Sequence, residues 1–421
     1  MRRLYLTASV AAAAFVSGAG WAQECCESEP EDTEIINQQI QLGDVFSDMN
    51  VVVPGSTDGD ATSISMAYGN TVSGYNGNGG ANVQSDQTFD ANAEANAALS
   101  GGDIGGTAAA NAIAYGNSAV WETHNGSLTG DQLNQVTADG SNITARTSID
   151  VGTTNAISSA ATATANTTAV YVYDGDNTVT SRQFSGANVL AENSTDACCD
   201  NESSTTTATA VSNSYHSWST TSTVNADVEQ SATGTAVTAR VSVNQTDGND
   251  VVGAANASAN SITVDNEWGY ARLEGSQDNQ SDVAAESTVT LTDWSGMAAS
   301  SANGVGNSAL LTNIGSDAAL DFSQTNSGDV YTTAEFDGDT TYNGTVTTNS
   351  TSIGNAFTGF VCTTCGDGVM GGTIYQSNSG DVRSVGQGYA GASGGYAGAA
   401  SAIGNSATFM TSQAQNSGGG G

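Results

Sequence analysis

The 421-residue chain sets 43 Asp and Glu against 7 Lys and Arg, for a formal charge of −36, and carries 51 Gly, 2 Pro and 6% aromatic residues. That balance argues against nucleic acid and anionic membrane surfaces as partners, because both need a basic footprint. A chain so polar and so poor in large apolar side chains also has the composition of disordered segments, so order must be argued from pattern.

The chain opens on MRRLYLTASVAAAAFVSGAGWA. Arg2 and Arg3, the apolar run Leu4–Val16 and the small residues Gly20 and Ala22 make residues 1–22 a secretory signal peptide, with cleavage after Ala22. The run is too short to span a bilayer, and no later stretch is apolar enough to cross one as a helix. Loss of the leader takes two Arg and moves the formal charge from −36 to −38. Residues 23–36 form an acidic segment with the vicinal pair Cys25 and Cys26. The other cysteines are Cys198 with Cys199, and Cys362 with Cys365. An even number in an exported chain makes all six disulfide candidates, with the pairing open. Zinc is the rival for Cys362-x-x-Cys365, but the only histidines, His124 and His216, lie far off in sequence.

Residues 37–410 are a repeat array, followed by a Gly-rich tail at 411–421. One phrase returns as ISMAYGNTVS (64–73), NAIAYGNSAV (111–120), ANGVGNSALL (302–311) and SAIGNSATFM (401–410). Its Asn recurs as Asn70, Asn117, Asn166, Asn213, Asn260, Asn307, Asn355 and Asn405, in steps close to 47. A second marker is a Gln, in phrases such as SQTNSGDVY (323–331), assigned to Gln39, Gln84, Gln132, Gln183, Gln230, Gln277, Gln324 and Gln376. Two markers holding the same step through eight copies define a repeat of about 47 residues.

Within the repeats, NITARTSIDV (142–151), AVTARVSV (236–243) and DVAAESTVTLT (282–292) alternate apolar with polar residues, the period of a strand. DG pairs at 58–59, 139–140, 174–175, 247–248, 337–338 and 367–368, and NG pairs at 76–77, 125–126 and 343–344, mark turns. The Ala-rich stretch 91–100 reads as strand because Asn and flanking Gly disfavour a helix. The repeat length also fits helical arrays, but Leu-rich amphipathic faces are absent. An eight-bladed β-propeller is the alternative; its blades pack bulky residues, whereas inward candidates here are Ala, Ser, Val and Thr. Small residues suit an all-β, elongated β-solenoid. Stacked coils then place identical Asn and Gln in columns, each amide satisfied by the next at about 4.8 Å. Two coils per repeat predict an axial length of roughly 75 Å, and three roughly 115 Å.

AIAYGNSA and SAIGNSAT are similar to the head strands of trimeric autotransporter adhesins, without their stalk or membrane barrel. QTNSGDV and QSNSGDV are similar to curlin-type repeats, which are about half as long. The layout as a whole resembles the holdfast anchor protein D family (HfaD) of stalked alphaproteobacteria: signal peptide, the acidic start ECCESEPED (24–32), a long Asn/Gly/Thr/Ser-rich repeat region and a terminal SGGGG. The resemblance implies a cell-surface, outer-membrane-associated or extracellular protein that fastens an adhesive polysaccharide, the holdfast, to the envelope. It implies as partners a curlin-like anchor protein and an outer-membrane lipoprotein used for export, and no active-site residues.

Catalytic and metal chemistry are the rivals to that reading. Asp58 with Asp60, Asp174 with Asp176 and Asp337 with Asp339 are paired carboxylates, but they sit in turns where exposure leaves them ordinary acids rather than a hydrolytic pair. Two isolated histidines suggest no triad. The expectation is no enzyme, no catalytic residue and no resident cofactor or metal. Calcium on the D-x-D turns is the alternative to plain turn chemistry. Trp121, Tyr171, Tyr173, Trp218, Trp268, Tyr270 and Trp294 are candidates either for sugar stacking or for packing at coil corners. The expected function is therefore a secreted structural adhesion protein. A curli-like fibre subunit that self-associates through exposed strand edges is the first alternative, and a β-helical polysaccharide enzyme is the second.

Overall fold

The computed structural model describes residues 33–199, 201–339, 344–363, 368–391 and 394–413. The expected signal peptide, Cys25, Cys26, Cys365, most of the Gly-rich tail and the turn pairs at 343–344 and 367–368 lie wholly or partly outside those residues. Every element is a β-strand, and twenty-four of them form three parallel eight-stranded sheets. The first coil supplies β1 (Thr33–Gln41), β2 (Val45–Val53) and β3 (Ala61–Asn76). The second supplies β4 (Ala81–Phe89), β5 (Ala93–Gly101) and β6 (Ile104–His124). Each strand pairs in parallel with its counterpart one repeat away, β1 with β4, β2 with β5 and β3 with β6. This is a β-solenoid, with no closed propeller ring. The first described strand begins at Thr33, inside the acidic N-terminal segment, and the Ala-rich stretch 91–100 falls largely in β5.

One repeat is therefore one coil. The two-coil and three-coil estimates of axial length give way to eight coils at about 4.8 Å, or roughly 38 Å. The third strand of a typical coil is about twice as long as the other two, for example Thr154–Tyr173 against Asn142–Val151. At about 3.3 Å per residue it spans up to about 65 Å, so the molecule is a slab, wider than its stack is high. The first-strand and second-strand sheets lie end to end across the long-strand sheet. Between them sit two cores. The second-strand side is lined by small columns, such as Ala95, Ala145, Ala191, Ala239 and Ala285 facing Ala112, Ala161, Ala208, Ala255 and Ala302. The first-strand side holds bulkier Trp121, Leu128, Leu273 and Phe322.

Corners are formed by left-handed residues. Asn125, Asp174, Thr221, Trp268 and Gly315 occupy the corner after successive long strands with φ of 51°, 57°, 57°, 65° and 100°. Asn, Asp and Gly tolerate that region, which explains the NG at 125–126 and the DG at 174–175. A second corner uses Cys199, Asp247 and Asp293 in the same way. The turn acids also have a structural task. Asp60, Asp250 and Asp282 accept from the backbone N–H groups of Thr107, Met297 and Asp329, each one coil away.

Candidate functional site

The repeated phrase sits where the long strand crosses from one core to the other. In β6, Ala112 and Ala114 point inward; then the alternation shifts phase, and Asn117, Ala119 and Trp121 point inward instead. The residue at the shift is always small: Gly69, Gly116, Ala165, Ser212, Ala259, Gly306, Gly354 and Gly404. At Gly306 a Cβ would lie 2.5 Å from the Asn326 Oδ1 and 2.6 Å from the Gly354 carbonyl, so the backbone approach there requires glycine.

The Asn after each small residue forms one continuous column. Asn70 Nδ2 donates to Asn117 Oδ1, and the same bond repeats through Asn166, Asn213, Asn260, Asn307, Asn355 and Asn405 at 2.7–2.9 Å. From Asn70 to Asn355, each Nδ2 also donates across to a carbonyl in the first-strand sheet, as Asn307 does to Thr325 O at 2.7 Å. That carbonyl follows the Gln of the next coil. A reciprocal column runs in the first-strand sheet, where each Gln Nε2 donates back to the preceding Gln Oε1 at 2.7–2.8 Å. Each Gln also donates to the carbonyl just after the Asn of its own coil, as Gln277 does to Ser308 O. The two columns clasp the sheets together and donate in opposite directions along the axis. Buried amides carry no desolvation penalty when both ends are satisfied, and here the neighbouring coils satisfy them.

The Gln column differs from the expected one at two places. Its members are Gln39, Gln87, Gln135, Gln183, Gln230, Gln277, Gln324 and Gln376, in place of Gln84 and Gln132. Gln84 and Gln132 lie three residues earlier, on the opposite, exposed face, and pair with one another across a register shift. An odd offset in a strand always changes face. Two further columns join Asn279 with Asn326 and Asn378, in steps of 47 and 52, and Asn266 with Asn313, in a step of 47.

The aromatic candidates separate into two sets. Trp121 and Trp294 are buried in the cores. Tyr171, Tyr173 and Trp218 face outward from the long-strand sheet, where His124 stacks on Tyr173 at 4.2 Å, Tyr171 meets His216 and Tyr173 meets Trp218 edge-on. The His124 Nε2 lies 2.6 Å from Glu122 Oε1. The two histidines are thus members of an outer aromatic strip across coils two to four. Trp268 is exposed at its corner. Inside the kink, Tyr115 stacks on Tyr68, and burial, reinforced by that neighbouring phenol, pushes its hydroxyl up to about 12. Burial pushes Tyr215 up as well.

The scarce bases are engaged. Arg146 bridges Glu94 and Glu192, Arg182 pairs with Glu229, Arg240 with Glu286 and Arg272 with Glu274, while Arg383 lies over the Tyr331 ring. Cys198 and Cys199 are joined as a vicinal disulfide, and Cys362 has no disulfide partner among the described residues. Among the described residues, no group of three or more His, Cys, Asp or Glu is arranged to hold a metal ion, and no helix is long and apolar enough to cross a membrane.

The model of holdfast attachment protein D (HfaD) matches residues 56–329, about two thirds of the chain. The chain belongs to that family. The matched span runs from the turn before β3 to the turn before Val330, so it covers the long strand of the first coil, all strands of the next five and the first strand of the seventh (Ala318–Asn326), with the Asn column from Asn70 to Asn307. No curated protein and no solved structure matches the chain.

Proposed function

We propose that the chain is an exported, non-enzymatic scaffold of the bacterial surface that fastens an adhesive polysaccharide, the holdfast, to the outer envelope. The observation that carries this reading is the HfaD match over residues 56–329, which names holdfast attachment. The leader at 1–22 supports export. The fold supports a mechanical role: the sheets are cross-linked at every coil by amide clasps, so a load on one face is shared by backbone and side-chain hydrogen bonds throughout the slab. The outward rings of Tyr171 and Trp218, beside Glu122 and Asp265, are the part of the broad face whose chemistry suits sugar rings, while the acidic balance of the chain suits contact with cationic segments of other envelope anchor proteins.

The test is retention. Purified full chain on beads should hold adhesive polysaccharide shed by cells, without releasing reducing ends or shortening the polymer. Failure to retain it would count against anchoring, and a falling polymer length would favour the enzyme reading.

A further inference from the structure

We propose that the two ends of the slab are complementary docking surfaces, and that a second copy of this chain stacks head to tail on the first in unbroken register. The terminal coils are the one at Thr33–Asn76 and the one built from β22 (Met370–Asn378), β23 (Val382–Ala390) and β24 (Gly395–Gln413). Both cores are open at these ends among the described residues. Met49 occupies the column of Ala97 and Thr147 and is 44% exposed, whereas those two are buried. Phe409 occupies the column of Trp121, Val264 and Leu311 and is 53% exposed, whereas those three are buried.

Exposed large apolar side chains gather in the same two coils. Ile36, Ile40, Phe46, Val52, Met66 and Tyr75 belong to the first, and Tyr375, Tyr389, Tyr396, Phe409 and Met410 to the last. The outer column that begins at Val52 and ends at Tyr389 runs through Ser100, Asp150, Asp196, Asn244, Thr290 and Asp337. It is polar where a coil is flanked on both sides by its own chain, and apolar only at the two ends.

The unused hydrogen-bonding groups fit one another. Asn405 accepts from Asn355, but its own Nδ2 has no partner, and at the other end Asn70 Oδ1 receives no donor. Gln39 Nε2 still has a free hydrogen, and Gln376 Oε1 accepts nothing. Continuing the register across a joint lays Asn405 on Asn70 and Gln376 on Gln39, with each donor facing an acceptor. The same continuation sets Tyr389 on Val52, Met410 on Tyr75 and the Arg383 guanidinium on the Phe46 ring, all favourable pairs. Charge fits too. Residues 370–413 hold only Asp381 and Arg383, against Glu34, Asp44, Asp48, Asp58 and Asp60 in the first coil, so the joint avoids facing two acidic coils. Two unlike patches on one chain form an open, heterologous contact, which generates a polar filament. This inference rests on the solenoid alone and stands or falls independently of the anchoring role.

The experiment is sedimentation velocity on purified full chain over a concentration series near physiological salt, with two end variants. Asn405→Asp keeps the acceptor used by Asn355, removes the donor and adds a charge to the tail. Val52→Asp adds a charge to the head. Wild type should form species that grow with concentration. Each variant alone should stay monomeric, with wild-type strand content and melting temperature by circular dichroism. An equimolar mixture of the two variants should give a dimer, because each supplies the end the other lacks. A wild-type chain that stays monomeric, as it would if its own terminal segments covered the ends, overturns the proposal. So does a variant that alone assembles like wild type, or a mixture that yields monomer only.

Discussion

Replacing Asn307 by Leu isolates one rung of the Asn column. The residue is fully buried, donates to Thr325 O at 2.7 Å and to Asn355 Oδ1 at 2.8 Å, and accepts from Asn260 Nδ2 at 2.8 Å. Leu removes all three bonds. Asn260 keeps its bond to the Asp278 carbonyl, so the losses are one buried acceptor, Asn355 Oδ1, and one part-buried bond to the Thr325 carbonyl. An orphaned buried acceptor costs about 1–3 kcal/mol and a lost hydrogen bond about 0.5–1.5 kcal/mol, which puts Asn307→Leu about 3 kcal/mol destabilised. Asn303→Ala is the matched control: it belongs to an exposed Asn pair at 3.0 Å and should cost under about 0.5 kcal/mol. Urea unfolding followed by far-ultraviolet circular dichroism reads both. A shift for Asn307→Leu within about 1 kcal/mol of wild type, or equal to that of the control, would refute the claim that the columns hold the coils together.

Trp121→Ala should cost about 3–5 kcal/mol, because the ring is buried in the first-strand core; the same unfolding midpoint reads it. Trp218→Ala, on the outer face, should leave the midpoint within about 1 kcal/mol and lower polysaccharide retention on beads. Thr221→Gly should stabilise by roughly 0.5–1 kcal/mol, because Thr221 holds a φ of 57° at a corner where its counterpart Gly315 is free of strain; a fall in melting temperature would contradict this. Alkali should weaken the fold in a defined window. The Tyr115 hydroxyl is raised in the folded state from 10.0 to about 12, so its contribution is fully present below pH 10 and is lost as pH rises through 12, which ultraviolet phenolate titration alongside circular dichroism resolves.

Much of this was legible because a column of stacked amides demands the same residue at the same depth in every coil. The Asn marker therefore keeps its step, and its small predecessor keeps its size. Parity in a strand does the rest when the strand is continuous. Trp121 lies four residues after Asn117 and points inward with it; Tyr171 and Trp218 lie five after their Asn and point outward. The Gln column was harder to read, because NVQSDQTF (82–89) and GDQLNQVT (130–137) each carry two Gln three residues apart, and Asp131 adds an unpaired residue just before the first Gln of the second phrase. The coil count was not legible at all. A step of 47 residues fits one, two or three coils, and only direct contact between Asn side chains one repeat apart decides for one. The ends were hidden for a related reason: the sequence marks a terminal coil only by what its outer columns lack, and that shows once the register is known.

The anchoring role is tested most directly in cells that lack the chain. They should make adhesive polysaccharide in normal amount and leave it on the substrate or in the medium while the cells themselves detach, and restoring the full chain should return the adhesive to the cell surface. Cells that lack the chain yet keep their adhesive and attach at the wild-type level would contradict the account.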